Sequence, residues 1–332
     1  MEKKQLGSSE LYISTLVYGG FAIGGFMWGG ADENDAISAI HAAIDGGVNL
    51  IDTAPLYGFG RGEEIVGKAL KSKKGKALIA TKGGLRHDKE QGELGGQKIG
   101  LDGELVKWFR NCRPKELIWE CEQSLRRLQV QEIDLYQIHF PDTTVPIEDA
   151  VGALLRLKEQ GKIRAIGVSN YNVEQMKKAL SVTQVDSVQP PYSIIRRGIE
   201  VEILPFCIQN NIGVISYSPL ERGLLAGAIA EDKIFEPNDH RSEHPYFKPE
   251  NRKKVLSALS KISSICTKYR ATKAQVVLNW TSQQQGITGT IVGARNQKQM
   301  EENLGSIKFK LTSEEMLEIQ EIFQEECKSF VS

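Results

Sequence analysis

A (β/α)8 barrel is the fold this sequence predicts, and three observations carry the prediction. From Leu16 onward, short apolar runs alternate with stretches of helical period, making eight strand–helix units with no linker-like break between them. Alternating β and α elements imply a parallel sheet, and this many units in one chain favour a closed barrel over an open doubly wound sheet. The first strand-to-helix turn has no G-x-G-x-x-G, which counts against a dinucleotide fold of the Rossmann type. The expectation is one domain over residues 1–332, with an N-terminal hairpin and extra C-terminal helices.

The elements follow in order. Residues 2–13 alternate weakly around Gly7-Ser8-Ser9, a short hairpin. Leu16–Gly20 is the first strand, and the Gly- and aromatic-rich stretch Phe21–Gly30 reads as a loop. Asp32 or Glu33 opens a helix whose apolar positions Ala36, Ile37, Ile40, Ala43 and Ile44 share one face, stopped by Gly46-Gly47. Val48–Ile51 is a strand closed by Asp52, followed by a helix at 63–70 and the strand Ala77–Lys82. Helix 114–128 leads to strand Ile133–Ile138, helix 147–160 to Ile163–Val168, and helix 173–181 to Val185–Val188. Helix 199–210 leads to Val214–Ser216, and helices at 251–269 and 272–284 precede Thr288–Val292. Helices at 296–304 and 312–326 end the chain. Trp119 and Trp280 read as helix core residues. The connections 84–113 and 220–250 are too long for simple turns; both follow strand carboxyl ends, where barrel active sites lie, so they are expected to wall or cover a site.

Composition narrows the function classes. The 332 residues are 40% hydrophobic and 25% charged, and Lys plus Arg equals Asp plus Glu at 42 each. Zero net charge argues against a surface built for nucleic acid or anionic membrane. No basic n-region with a long apolar stretch opens the chain and no run suggests a membrane span, so a cytoplasmic protein is expected. The five cysteines are scattered, without C-x-x-C, and form no zinc spacing with the five histidines. Reduced thiols and no metal are the reading.

Polar residues gather where a barrel would bring them to one mouth: Asp52, Lys82, His139, Asn170, Gln189, Tyr217 and Arg295 each sit at or just past a strand's end. Any one has a bland explanation; Lys82 alone would ordinarily be a solvated surface lysine and His139 a hydrogen-bonded structural histidine. Together with Tyr57, five residues after Asp52, they suit one chemistry. A phenol is a poor acid near neutral pH, a lysine ammonium favours its phenolate, and an aspartate holds that lysine. A histidine at hydrogen-bond distance orients a carbonyl oxygen. Such a group protonates a carbonyl oxygen as hydride reaches carbon, and no side chain supplies the hydride, so a nicotinamide cofactor is implied. Ser169, Asn170 and Gln189 suit a carboxamide, Tyr217 offers a flat face to the ring, and Gly293-Ala294-Arg295 before a helix is a phosphate site.

The segments Ile51-Asp52-Thr53-Ala54-Pro55-Leu56-Tyr57-Gly58, Thr81-Lys82, Asp134–His139, Gly167-Val168-Ser169-Asn170 and Ser216–Leu220 resemble the aldo-keto reductase superfamily over nearly the whole chain. Arg110–Pro114 and Gln189–Tyr192 resemble its bacterial general-stress and inositol-operon branch. The resemblance implies a tetrad of Asp52, Tyr57, Lys82 and His139, and an extended NADP(H) across the mouth. It places Ser169, Asn170 and Gln189 on the carboxamide and Tyr217 on the nicotinamide. Leu220 and Gly223 would line a pyrophosphate tunnel, with Gly20, Ser218 and Pro219 also in the cofactor set. Gly293, Arg295, Gln299, Glu302 and Asn303 would surround the adenosine end. Many relatives have a lysine–serine pair where this chain has Gly293-Ala294 and an arginine at Gln299; here the Arg295 guanidinium would either pair with the 2′-phosphate or stack on adenine, and NADP(H) is preferred to NAD(H). Phe140 stands where tryptophan is common. The expected substrate pocket takes in Phe21, Trp28, Trp108 and Phe109.

The main expectation is an NADP(H)-dependent reductase of aldehydes, ketones or sugar carbonyls. The alternatives are a cofactor-sensing subunit with little turnover, against which the intact His139 speaks, and a sugar oxidoreductase that retains its cofactor. The pattern speaks of a small-molecule substrate and says nothing of assembly.

Overall fold

In the computed structural model, residues 1–25, 31–99, 104–235, 239 and 241–328 are described. A hairpin of β1 (Lys3–Gln5) and β2 (Tyr12–Ser14) precedes β3 (Leu16–Gly19). A single turn, α1 (Phe21–Gly24), occupies part of the stretch expected to be loop. Then come α2 (Glu33–Asp45), β4 (Leu50–Asp52), α3 (Arg61–Lys71) and β5 (Leu78–Gly83). Asp32 caps α2 by accepting from the backbone N–H of Asn34 and Asp35, as its sequence position suggested.

The 84–113 connection is not a loop. It holds β6 (Leu85–Arg86), β7 (Glu93–Ile99) and β8 (Leu105–Arg110), which form an antiparallel sheet in the order β6-β8-β7. The barrel resumes with α4 (Pro114–Leu128), β9 (Ile133–Ile138), α5 (Ile147–Glu159), β10 (Ile163–Ser169), α6 (Val173–Leu180) and β11 (Ser187–Gln189). The helix expected at 199–210 is shorter, α7 (Ile203–Gln209), behind a 3-10 turn at Gly198–Glu200. After β12 (Gly213–Ser216), the 220–250 connection carries 3-10 turns at Glu221–Ala226 and Pro245–Phe247. The helix expected at 251–269 is two, α8 (Pro249–Lys261) and α9 (Ser263–Tyr269), broken at Ile262. α10 (Lys273–Ser282), β13 (Ile287–Gly293), α11 (Gln297–Leu304) and α12 (Ser313–Glu326) follow, with capping boxes at Thr272/Gln275 and Thr312/Glu315 starting α10 and α12.

Eight parallel strands close the barrel in the order β3-β4-β5-β9-β10-β11-β12-β13. Its lumen is filled by Val17, Leu50, Ala80, Leu135, Ala165, Ile215 and Ile291, packed with Leu6, Leu11 and Ile13 of the hairpin. The hairpin thus plugs the end where the strands begin: a Cβ on Gly213, the first residue of β12, would lie 2.6 Å from the Leu6 side chain. A larger apolar layer sits between strands and helices. Trp280 is fully buried there, but Trp119 is 41% exposed, contrary to the core role expected of it. The buried stripe of α4 runs Leu117, Cys121, Ser124 and Leu128, and Trp119 lies off that phase, beneath the Arg86 guanidinium at 4.2 Å. With one end plugged, the strand carboxyl ends form the open mouth.

Candidate active site

Asp52 closes β4, Lys82 lies on β5 and His139 follows β9, so three neighbouring strands deliver them to one side of the mouth. The Lys82 side chain is fully buried and donates to Asp52 Oδ1 at 2.6 Å, Asp52 Oδ2 at 2.9 Å, the Thr53 carbonyl at 3.1 Å and the Tyr57 hydroxyl at 3.2 Å. Burial works against the Lys82 charge, but Asp52 and Tyr57 outweigh it and its pKa is raised, so the ammonium persists. Burial also raises the Tyr57 phenol, with Lys82 pulling the other way. Tyr57 is therefore protonated at neutral pH. The His139 ring stands edge-on to Tyr57, centroids 5.9 Å apart. Burial, reinforced by Lys82, holds its pKa well below the ordinary histidine value, so the imidazole is neutral.

A second set of polar groups adjoins the first. Asn170, in the left-handed region at φ 62°, donates through Nδ2 to the His139 carbonyl and Ser169 Oγ, each at 3.0 Å. Asn170 Oδ1 accepts from the Tyr217 hydroxyl at 2.8 Å, and Ser169 Oγ donates to the Gln189 carbonyl at 2.8 Å. Gln189 Nε2 donates to Asp52 Oδ2 at 2.9 Å, joining this set to the lysine–aspartate pair. Side chains from five of the eight strand ends thus form one connected network.

The Aldo/keto reductase family model matches residues 15–324, the whole span of the barrel. The chain belongs to the aldo/keto reductase family. It is 38% identical over 327 residues to the aldo-keto reductase YhdN of Bacillus subtilis (strain 168), covering 98% of this chain and 94% of that protein. It is 36% identical over 318 residues to the NADH-specific methylglyoxal reductase of Escherichia coli (strain K12), covering 94% and 95%. Among solved structures, the glycerol dehydrogenase AKR11B4 from Gluconobacter oxydans superposes with a TM-score of 0.87 at 38% identity, covering 98% of this chain and 95% of that one. Members of the family are oxidoreductases that use nicotinamide cofactors.

In this aldo/keto reductase the remaining candidate residues lie further around the mouth. Gly20 caps α1 and its N–H donates to the Asp52 carbonyl at 2.7 Å. Ser218 has φ 59°, and Pro219, Leu220 and Gly223 carry the chain through an irregular 3-10 segment. Gly223 holds φ 89°, where a side chain is strained, and a Cβ there would come no nearer than 3.9 Å to Ile229 Cδ1. Past β13, Gln299 Oε1 accepts from the Arg295 N–H at 2.9 Å and Asn303 Nδ2 donates to the Gly293 carbonyl at 3.2 Å. Glu302 is exposed, its carbonyl accepting from Gln275 at 2.7 Å. Gln299 and Asn303 thus shape the backbone from Gly293 to Arg295. Burial and the charge of Arg241 lower the Arg295 pKa, with Asp239 opposing; the 220–250 connection therefore brings charged groups to the end of β13.

Of the expected pocket residues, Phe21 is edge-on to Tyr57 at 5.1 Å. Trp108 lies on β8, where Cβ atoms on Gly95 and Gly96 would meet its indole, and Phe109 pairs with Leu94. Trp28 lies outside the described residues. Phe140 stacks on His139 at 5.5 Å and carries the Arg110 guanidinium on its ring at 5.5 Å. Sequence reasoning missed Arg110 as a neighbour of the site, because only the antiparallel sheet brings it there. Among the described residues no cluster of His, Cys, Asp and Glu could hold a metal, and no helix is long and apolar enough to cross a membrane.

Proposed function

We propose that this protein is an NADP(H)-dependent oxidoreductase interconverting the carbonyl and alcohol groups of small aldehydes, ketones or sugars. The observation that carries the reading is the contact of Lys82 Nζ with both Asp52 and the Tyr57 hydroxyl in a buried setting. The polar set of Ser169, Asn170 and Gln189 offers both donors and acceptors to a carboxamide, and Gly223, bare of a side chain at φ 89°, lets a pyrophosphate approach the backbone, so these residues fit a nicotinamide dinucleotide. When bound, the nicotinamide supplies or takes the hydride.

Tyr57 gives its proton to the carbonyl oxygen. Its protonated state at neutral pH suits that task, and the Lys82 ammonium 3.2 Å away stabilises the phenolate left behind. Neutral His139 offers a ring N–H to the same oxygen without adding a like charge beside Lys82. In alcohol oxidation the roles reverse and the Tyr57 phenolate removes the hydroxyl proton. The glycerol dehydrogenase and methylglyoxal reductase relatives support small polar substrates in both directions.

The test is NADPH oxidation across aldehydes, ketones and keto-sugars, wild type beside Tyr57→Phe. Loss of the proton donor lowers turnover by about 10²–10⁴-fold, while cofactor binding measured by fluorescence stays within a few fold. Near-normal turnover in that variant would remove Tyr57 from the mechanism.

A further inference from the structure

Beneath the tetrad, Lys82, Gln137, Gly167 and Ser187 stand in register on the neighbouring strands β5, β9, β10 and β11. The two-residue alternation along a strand gives them the same inward phase as Ala80, Leu135 and Ala165 of the lumen. A Cβ on Gly167 would lie 2.5 Å from Ser187 Oγ and 2.7 Å from Gln137 Cγ, so the bare glycine leaves this level of the barrel to two polar side chains. Gln137 is fully buried. Its Oε1 faces Gln189 Nε2 at 3.5 Å, and its own Nε2 makes no hydrogen bond among the described residues. A leucine would fill the same space without burying a half-satisfied amide. The contact with Gln189 is what the amide adds.

We infer that Gln137 is a positioning residue for the reaction, acting through Gln189 on Asp52; the inference rests on the active-site reading above. Gln189 Nε2 carries two hydrogens and faces two acceptors, Asp52 Oδ2 at 2.9 Å and, at the long end of hydrogen-bond range, Gln137 Oε1. Turned over, the amide would set its oxygen against a carboxylate and a second carbonyl. The pair of acceptors therefore fixes one orientation, with the side-chain nitrogen on Asp52 and Gln189 Oε1 left for the carboxamide. Asp52 Oδ2 is shared between this N–H and Lys82. When Gln189 withdraws, more of the Asp52 charge opposes the Lys82 field at the Tyr57 hydroxyl, and the phenol becomes harder to ionise.

Gln137→Met keeps the length and removes the acceptor. Alcohol oxidation, which needs the phenolate, then has its pH midpoint raised by roughly 0.5, about threefold less phenolate at a given pH below the midpoint, and NADPH Kd rises about threefold. Both shifts vanish in a Gln189→Met background, because Gln137 has lost the group through which it acts. No shift, or an equal shift in both backgrounds, would overturn the inference. A crystal structure of Gln137→Met tests it without turnover: Gln189 Nε2 is expected to leave Asp52 Oδ2, and an unchanged contact would overturn the role. Near-normal turnover in Tyr57→Phe would instead overturn the functional reading, leaving the crystallographic outcome to decide on Gln137.

Discussion

Lys82 shows how far a side chain's neighbours override its ordinary behaviour. A lysine usually keeps its ammonium in water, yet this one is fully buried and held by two carboxylate oxygens, a carbonyl and a phenol. Such a pair adds little net stability because both charges lose their hydration; its value here is a fixed positive charge beside Tyr57. Arg295 is the residue-scale question on the cofactor side. It lies past β13 with Arg241 and Asp239 in electrostatic reach, and one relative is named NADH-specific. If its guanidinium reads the 2′-phosphate, Arg295→Ala weakens NADPH binding by about 10–100-fold and NADH by less than threefold, the difference being one charge-assisted contact. Fluorescence titration with both nucleotides measures it, and equal weakening would exclude that role. At this scale the sequence was legible where a polar residue ends an apolar run, as at Asp52 and His139. It was not legible at Gln137 or Glu120, whose importance lies in partners 36 or more residues away.

Elements place Tyr57 through one close approach. The α1 turn meets the Tyr57-Gly58 turn backbone to backbone, and a Cβ on Gly58 would stand 1.9 Å from the Gly24 carbonyl oxygen. Gly58 also holds φ 68°, where a side chain is strained. Gly58→Ala is therefore expected to destabilise the fold by about 1–3 kcal/mol and to move the Tyr57 hydroxyl off Lys82, lowering kcat at least roughly tenfold. Thermal unfolding and steady-state kinetics read the two effects, and a variant with wild-type kcat would show that the turn does not position the phenol. The barrel strands were legible because buried parallel strands contain short uninterrupted apolar runs, such as Leu16-Val17-Tyr18. The β6-β8-β7 sheet was not, since its Gly95-Gly96 and charged residues dilute the alternation, although Leu105–Arg110 carries valine and two aromatics. The helix expected over 251–269 breaks at Ile262 with no glycine or proline to announce it.

For the whole molecule, two buried ionisable groups bound the pH range of stability from opposite sides. His139 is held neutral, with a folded pKa below the ordinary 6.5, so the unfolded chain takes up the proton first and stability falls as pH drops below about 6.5. Glu120, reaching from α4 to accept the Gly84 N–H at 2.7 Å, is pushed by burial up to about 8 from the ordinary 4.5, with that N–H and Arg86 opposing the shift. Between those values the folded protein keeps a proton that the unfolded chain releases. Its contribution is complete below pH 4.5 and is lost as pH rises through about 8. Glu120→Gln copies the protonated carboxyl and removes that dependence. Urea unfolding at pH 5 and pH 9 is expected to show the variant within about 1 kcal/mol of wild type at the lower pH and about 2–4 kcal/mol more stable at the higher. The same substitution leaves the acid limb untouched, because His139 sits at the mouth and Glu120 behind β5. Parallel pH dependences for the two proteins would mean that Glu120 is ionised in the folded state, with Arg86 and the Gly84 N–H together outweighing its burial.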